Sequence, residues 1–331
     1  MQVREYDGDD AGQVEAGRLV INAAHATDSP WMPELTRHRR EMQVRFGWDK
    51  SPIRHLVAWG DGEPVAVAEV EIGEWDNRDL AWMNLIVHPD HRRHGHGTAL
   101  LEHLTGIART AGCTKIGASG WETSASVPFA ARHGLVRASQ EVYRVVNLPD
   151  LPTGFADSAY AEALPHAADY ELIRIEGRAP HDMLPAIAQL TAAINDAPVD
   201  DLDIEDEVFP VERIQDYEDA TLGSGHRMRR VLARHRDTGE LAGHTIATVD
   251  LEDPRVAHQH DTSVVRAHRG HRLGLLVKAE MLRFLGETEP QVVSIDTWNA
   301  ESNDHMISVN ERLGYRPLGR ELAFQGKLSR A

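Results

Sequence analysis

The chain has 331 residues, which at about 150 residues per domain predicts two domains, each long enough to bury a core. Charged residues make up 26% of it, and the formal net charge of -17 argues against nucleic acid or anionic membrane as a partner, because both need a basic face. The single cysteine, Cys113, excludes an internal disulfide framework. No apolar signal core opens the chain and no run of about 18 apolar residues follows. We expect a cytoplasmic protein, a monomer or homodimer.

The first 148 residues show the hydrophobic spacing of a mixed unit of strands and helices. Alternating Val65, Val67 and Val70 indicate a strand, and leucines at helical spacing follow Gly97. The predicted elements are a strand at 2–6, helices at 10–26 and 33–45, a hairpin of 53–59 and 64–72, a strand at 80–87, a helix after Gly97, a strand at 115–119, a helix at 124–133 and closing strands within 136–147.

Residues 149–170 contain three prolines and a glycine among small and acidic residues, which predicts a linker. After it the pattern begins again. The predicted elements are a strand at 172–175, helices at 183–194 and 211–222, a hairpin of 228–233 and 241–249, a strand ending at 264–265 and a second basic loop with its helix.

The two halves repeat each other. Arg92 and Arg269 are 177 residues apart, as are Gly97 and Gly274, and the later glycines Gly134 and Gly314 are 180 apart. Since strand, basic loop, long helix, strand, short helix and glycine recur in the same order, the sequence indicates a duplicated domain.

The loop from Val87 to Leu101 has the form of an anion-binding turn between a strand and a helix. Gly95 and Gly97 lack a Cβ, so that a ligand can approach the free N–H groups at the positive end of the helix dipole. The stretch is not a Walker A loop, because Thr98 and Ala99 follow Gly97, and a dinucleotide fingerprint would need glycine at Leu100.

The spacing Arg92-x-x-Gly95-x-Gly97 resembles the acyl-CoA loop of the GNAT acyltransferase superfamily, and Arg269-x-x-Arg272-x-Gly274 is similar except at Arg272. The resemblance implies an α+β (mixed α/β) protein of two tandem GNAT-like domains, each with a mostly antiparallel central sheet and flanking helices. The domains are then 1–148 and 171–331, with 149–170 as the linker.

The resemblance also implies acetyl-CoA as a co-substrate, held by the loops and by backbone N–H groups where the fourth and fifth strands splay apart. Asparagines after the fifth strand of the second half are implied to contact its pantetheine arm. The implied binding residues are Leu85, Ile86, Val87, Arg92, Arg93, His94, Gly95, His96, Gly97 and Thr98 in the first half, and Ser263, Val264, Val265, Arg269, Gly270, His271, Arg272, Leu273, Gly274, Leu275, Asn299, Asn303 and Asn310 in the second.

In the family the amine attacks the thioester directly, so a nearby base must take its proton. The candidates are Asp261, His260 and Glu301 in the second half, and Glu122, Glu69 and Glu71 in the first. The acidic run at residues 200–207 is placed by the resemblance in the acceptor pocket of the second half. Ala130 and Asn310 stand where many members carry a tyrosine acid, so we expect the thiolate to leave without one.

Four histidines surround the first loop, but no metal-binding motif accompanies them, and we expect no metal. The leading hypothesis is an acyl-CoA-dependent N-acetyltransferase acting on the primary amine of a small molecule. Two alternatives stay open: acetylation of a protein lysine or N-terminus, and a non-catalytic acyl-CoA-binding sensor. The fold alone does not choose among them.

Overall fold

The computed structural model describes residues 1–328, and the chain divides into two compact units. The first unit comprises Met1–Glu141, Asp200–Asp206 and the chain from Gly319 onward, and the second comprises Val142–Val199 and Glu207–Leu318. No helix within the described residues is long and apolar enough to cross a membrane.

The first unit contains most of the elements predicted for the first half. Its strands run in the order β1, β2, β3, β4, β5, β12, antiparallel except for the parallel pair β4 and β5. The elements are β1 (Gln2–Tyr6), α1 (Ala11–Asp28), α2 (Arg37–Phe46), β2 (Ile53–Gly60), β3 (Glu63–Ile72), β4 (Leu80–Val87), α3 (His96–Thr110), β5 (Lys115–Trp121), α4 (Ser126–Arg132), the start of β6 (Val136–Asn147) and the end of β12 (Arg316–Lys327).

Helices cover both faces of this sheet. Leu100 and Leu104 of α3 pack in one apolar cluster with β3 and β4, and Val14 and Val20 of α1 pack in another. Since the apolar residues of α3 recur three and four positions apart, one stripe of the helix is buried, as the sequence predicted.

The second unit has the same layout, with strand order β7, β8, β9, β10, β11, β6. Its helix α8 is buried along most of its length, and α6 and α7 pack in a separate cluster. The elements are α5 (Phe155–Ala163), β7 (Tyr170–Glu176), α6 (Leu184–Thr191), α7 (Val211–Gly223), β8 (His226–His235), β9 (Leu241–Asp250), β10 (Val256–Val264), α8 (Leu273–Thr288), β11 (Ser294–Ala300) and α9 (Asp304–Arg312). The mixed α and β fold with mostly antiparallel sheets is confirmed.

The residues predicted as a linker belong to the second unit. They form α5, whose small side chains Ala159 and Ala163 are buried in one cluster with α8. Composition favoured a linker because small residues are common in loose segments, yet they also allow two helices to approach closely.

The last strand of the chain, β12, does not stay with the half of the sequence to which it was assigned. From Glu321 to Lys327, β12 pairs antiparallel with β5, so the C-terminal strand completes the sheet of the first unit. Leu322 and Phe324 are buried in the same cluster as α3. In turn, the residues of β6 from Val142 onward belong to the second unit. The predicted split at residue 148 therefore does not match the compact units.

Candidate active site

In each unit two parallel strands separate partway along their length. The pairing of β4 with β5 ends at Met83 and Ala118, although β4 continues to Val87. The pairing of β10 with β11 ends at His258 and Asp296, although β10 continues to Val264. Each sheet therefore opens into a V-shaped gap at the end that leads to the basic loop.

The backbone N–H groups that face these gaps follow from strand alternation. The N–H of His88 donates to Val65 at 2.9 Å and that of Val265 donates to Ala242 at 2.9 Å, so both are used by the neighbouring strand. Because the N–H groups of consecutive residues point to opposite sides of a strand, those one and three positions before His88 and Val265 face the gap instead. The gap-facing N–H groups are those of Leu85 and Val87 in the first unit, and of Thr262 and Val264 in the second.

This pattern refines the prediction, since Ile86, Ser263 and Val265 lie in the predicted set but direct their N–H groups away from the gap. Thr262 was not predicted. Its position two residues before Val264 was the signal that could have identified it, because the side of a strand to which an N–H points repeats every second residue.

A β-bulge distinguishes the second unit from the first. In β10, Gln259 pairs with Ala247 and Thr262 with Thr245, so His260 and Asp261 together oppose one residue of β9. The corresponding pairing of β3 with β4 shows no register shift from Ala66 to Ile72.

The two basic loops share a left-handed backbone at two positions although Arg272 stands where the first loop has glycine. Arg93 and Gly95 have φ of 68° and 84°, and the equivalent Gly270 and Arg272 have φ of 90° and 53°. Both loops thus have a left-handed backbone at the same two positions. Glycine occupies the second of these positions in the first loop and the first of them in the second loop. Arg272 therefore keeps the left-handed backbone that Gly95 has in the first loop.

Each loop presents the first free N–H groups of a helix. The carbonyl of Gly95 accepts from Ala99, and that of Arg272 accepts from Leu276, both at 3.0 Å. The N–H groups of the residues that precede Ala99 and Leu276 have no acceptor within the helix. They are therefore available to bind an anion. They belong to His96, Gly97 and Thr98 in α3 and to Leu273, Gly274 and Leu275 in α8.

The first arginine of each loop is held by an aspartate rather than left free. Arg92 forms a bidentate pair with Asp28, and its Nε donates to the carbonyl of Val87 at 3.2 Å. Arg269 repeats this with Asp196 at 2.7 Å and with the carbonyl of Val264 at 3.1 Å. These arginines therefore fix each loop to its own strand end.

The remaining loop side chains are mostly at the surface. Arg93 and His94 are exposed, whereas Thr98 Oγ1 lies 3.1 Å from His133 Nε2. Arg272 donates to Glu162 at 3.1 Å, and the ring of His271 lies beside that of Tyr170. Burial and the nearby His91 lower the pKa of His96.

Asp261 lies at the bulge among buried polar groups. Burial raises the pKa of its carboxyl, an effect that the nearby Arg230 guanidinium opposes. Arg230 is itself paired with Glu218 at 2.7 Å, and the two side chains are 1% and 2% exposed. Within residues 1–328 no donor forms a hydrogen bond with the Asp261 carboxylate. The group can therefore accept a proton from a ligand.

His260, the other residue of the bulge, is held on both sides. Its Nδ1 lies 2.6 Å from Tyr217 Oη and its Nε2 lies 3.1 Å from Thr248 Oγ1. Burial lowers the pKa of His260 to about 3, so the ring is neutral. With both nitrogens engaged it positions the bulge and is a poor candidate for the base.

The other predicted carboxylates lie in less suitable places. Glu122 and Glu301 are exposed. Glu69 is bound by Arg40 at 2.7 Å and by His55 at 3.1 Å, and although burial opposes the shift these partners lower its pKa to about 2. Such a carboxylate takes up a proton only in acid.

The acidic run lies outside the second unit over most of its length. Residues Asp200–Asp206 belong to the first unit, where Asp203 pairs with Lys115 at 3.4 Å and Glu205 accepts from the N–H of Asn77 at 3.1 Å. The run was expected in the acceptor pocket of the second half, and the structure does not place it there. Its charges are partly satisfied by the sheet of the first unit.

The three asparagines of the second unit take different roles. Asn303 caps α9 by accepting from the N–H of Met306 at 3.1 Å. Asn310 is fully buried, donates to Asn299 at 3.1 Å and accepts from Lys278 Nζ at 2.7 Å. Sequence reasoning did not single out Lys278, although a lysine within the apolar run of α8 was the available signal.

Comparison with known families finds one match in the first half of the chain. Residues 22–135 match the model of the acetyltransferase (GNAT) family. Two curated relatives are both named mycothiol acetyltransferase. The one from Saccharomonospora viridis is 36% identical over 136 residues, and the one from Streptomyces griseus is 27% identical over 124 residues. These matches span 40% and 38% of this chain, and the same shares of the relatives' own length.

Solved structures match across both units. A tandem GNAT protein from the clavulanic acid biosynthesis pathway aligns over 100% of this chain and 99% of its own, with a TM-score of 0.79 at 23% identity. A GCN5-related N-acetyltransferase from Sphaerobacter thermophilus aligns over 98% of this chain and 95% of its own, with a TM-score of 0.65 at 16% identity. At these identities the likeness establishes the fold.

Proposed function

Because residues 22–135 match the acetyltransferase (GNAT) family and both units share the fold of a tandem GNAT protein, we propose that the chain transfers acetyl from acetyl-CoA to the primary amine of a small molecule, and that the second unit carries out the reaction. The proposal depends mainly on one observation. The bulge of β10 sets Asp261, a half-buried carboxylate with no hydrogen-bond donor among the described residues, beside the splayed strands.

The first unit has the same kind of basic loop, but its splayed strands lack a bulge and an available carboxylate like those of the second unit. Its strand β4 pairs with β3 in unbroken register, and its half-buried carboxylate Glu69 is already neutralised by Arg40. A base with a pKa lowered to about 2 is a weak proton acceptor near neutral pH. We therefore assign acyl-CoA binding without catalysis to the first unit.

In the proposed reaction, the N–H groups at the start of α8 hold the phosphates of acetyl-CoA and the arm enters the gap between β10 and β11. The N–H groups of Thr262 and Val264 bind the thioester carbonyl oxygen and stabilise the negative charge that develops on it. The acceptor amine attacks the carbonyl carbon as a free base, and Asp261 takes the proton that its nitrogen loses. No covalent enzyme intermediate is needed.

A cleft of about 370 Å³ beside α7 supports a small cationic acceptor. Its lining carries the carboxylates Glu212, Asp216, Glu218 and Asp219 together with Arg178. Arg178 pairs with Asp219 at 2.6 Å, and Glu218 is the partner of Arg230. A volume of this order suits a small molecule rather than a protein surface. With four carboxylates against one arginine the lining is net acidic, which would attract an amine that enters in its ammonium form.

Calorimetric titration of the full chain with acetyl-CoA tests binding, and free-thiol release with a panel of small amines tests transfer. We expect tight binding and release with at least one amine. Absence of any acetyl-CoA binding would contradict the proposal, whereas binding without release from any amine or peptide would favour a sensor. Release with lysine peptides alone would favour a protein acetyltransferase.

The role of Asp261 is tested with Asp261→Asn. We expect kcat to fall by about 10²-fold or more because the general base is removed, with acetyl-CoA affinity kept. The matched control is Asp237→Asn, an exposed aspartate in the turn between β8 and β9. Equal turnover in both variants across the pH range would remove Asp261 as the base.

A further inference from the structure

Three histidines of the first basic loop, His91, His94 and His96, lie close together at the start of α3, and we call them the histidine cluster. The ring centroids of His91 and His96 are 6.4 Å apart, and those of His94 and His96 are 6.2 Å apart. His94 is exposed and the other two are half-buried, so solvent reaches all three. Within residues 1–328 their imidazoles form no hydrogen bond and no ion pair. The rings are therefore available to a ligand.

The second basic loop does not repeat this arrangement. By the offset of 177 residues that relates the two loops, the equivalent positions are His268, His271 and Leu273. His268 Nδ1 lies 3.0 Å from Tyr170 Oη, and the ring of His271 lies beside the same tyrosine. The imidazoles of the second loop are thus already in contact with an aromatic neighbour, and the third position is apolar.

Without a ligand, the members of the histidine cluster oppose each other's protonation. Burial lowers the pKa of His96, and His91 and His94 lower it further because their positive charges would lie close by. The amino terminus of Met1 acts in the same direction, whereas Asp61 in the turn between β2 and β3 opposes the shift. His96 is therefore neutral at pH 7 in the free protein.

The surroundings of the histidine cluster supply little fixed positive charge. The other charged groups beside it come from α1, from the segment after α1, from β3 and from the loop, and they are Arg18, Glu34, Glu63 and Asp90. Arg92 is already paired with Asp28, and Arg93 is exposed. Because carboxylates outnumber arginine in this set, it favours protonation of the rings rather than opposing it.

A phosphate bound at the start of α3 would change the balance within the cluster. The N–H of His96 is one of the first free N–H groups of α3, so a phosphate held there lies next to the cluster. A negative charge at this place favours the charged form of an imidazole, and an imidazolium donates a stronger hydrogen bond to phosphate than a neutral ring does. Phosphate binding and proton uptake then assist each other, because a coupling free energy is reciprocal.

We infer that the histidine cluster couples acyl-CoA binding by the first unit to proton uptake, so that this unit binds acyl-CoA more tightly as the pH falls from about 8 to about 6. The inference rests on the proposed function, in which the first unit binds acyl-CoA. The protons come from solvent, and the imidazolium rings donate to phosphate oxygens. The second loop has no equivalent cluster and should bind acetyl-CoA with little proton uptake.

The test is calorimetric titration of the full chain with acetyl-CoA, at the same pH in buffers of different ionisation enthalpy. The dependence of the heat on the buffer gives the number of protons taken up. At pH 7 we expect one site to take up about one proton, and its affinity to be about tenfold lower at pH 8 than at pH 6. The triple variant His91→Gln, His94→Gln and His96→Gln should lose both effects.

The matched control replaces three exposed histidines outside both loops by glutamine, namely His38, His103 and His166. It should keep the proton uptake of the wild type. Binding without proton uptake, or equal uptake in the cluster variant and the control, would overturn the inference. Equal uptake would show that the proton is carried by the ligand or by another part of the chain.

A measurement on the wild type covers the case in which the cluster variant does not fold. In NMR titrations the ring signals of His91, His94 and His96 should change at higher pH with saturating acetyl-CoA than without it. Titration at the same pH in both states would contradict the inference. A chain that binds no acetyl-CoA at any pH would instead count against the proposed function, so the two failures are distinct.

Discussion

Gly95 and Arg272 occupy equivalent positions, each the residue before its helix, and both hold the left-handed backbone region. Among the described residues no atom lies within 4 Å of where a Cβ on Gly95 would be, so an alanine there meets only backbone strain. We expect Gly95→Ala to lower the free energy of unfolding by about 1–2 kcal/mol. Urea unfolding measures it.

Gly106 is the control for this change. It lies exposed within α3, has no positive φ and also has open space around its Cβ position. Gly106→Ala should raise the unfolding free energy by up to about 1 kcal/mol, because alanine is the better helix former. If the two variants shifted stability in the same direction, strain at Gly95 would be disproved.

Breaking the Arg230–Glu218 pair should lower the free energy of unfolding much more than Gly95→Ala does. Both side chains are buried, and Glu218 also accepts from the N–H of Ala179. Arg230→Met leaves a buried carboxylate unpaired, which costs about 3–5 kcal/mol. The double variant Arg230→Met with Glu218→Gln removes that charge and keeps an acceptor for Ala179. Denaturant unfolding should show the double variant more stable than the single one, and the reverse order would refute the explanation.

The C-terminal strand offers a test of which unit it stabilises. Phe324 of β12 is buried in the cluster that includes α3, so Phe324→Ala should cost the first unit about 3–5 kcal/mol. Hydrogen exchange should then accelerate in β5 and remain unchanged in β9. Phe284→Ala in α8 is the matched change for the second unit and should give the opposite pattern. Faster exchange in β9 from Phe324→Ala would contradict the strand's placement.

Lys278 should also make stability depend on pH. Its pKa falls from 10.5 to about 7 on folding, so between these values the unfolded chain binds more protons and stability rises with pH. The slope contributed by this group is at most about 1.4 kcal/mol per pH unit. Lys278→Met should flatten the curve in that window and be more stable near pH 7. Parallel curves for the two proteins would argue against a buried, neutral lysine.

The sequence predicted the fold and the loops well because both depend on local patterns. Alternating valines and leucines at helical spacing identified most elements, and the repeat of Arg92 and Gly97 at Arg269 and Gly274 located both loops. Which strands pair with each other does not follow from such local patterns. Nothing in the alternation of β12 says whether it joins β11 or β5, because either neighbour would bury the same face.

The candidate site was predicted only in part for a related reason. Asp261 was named from its place just before the loop, yet the bulge that sets it beside His260 depends on the register with β9. Lys278 and Arg230 were missed because single charged residues in apolar runs usually lie at a surface, and only the packed structure shows them buried.

The position of β12 also bears on the order in which this protein is made. The first unit begins at Met1 but takes its sixth strand from the chain beyond Gly319. A ribosome that has released the first 300 residues has therefore produced every part of that unit except a strand carrying Leu322 and Phe324. The half of the protein that is synthesised first therefore cannot complete its sheet until the last strand has been made, and until then the edge of β5 is open to pairing with another chain.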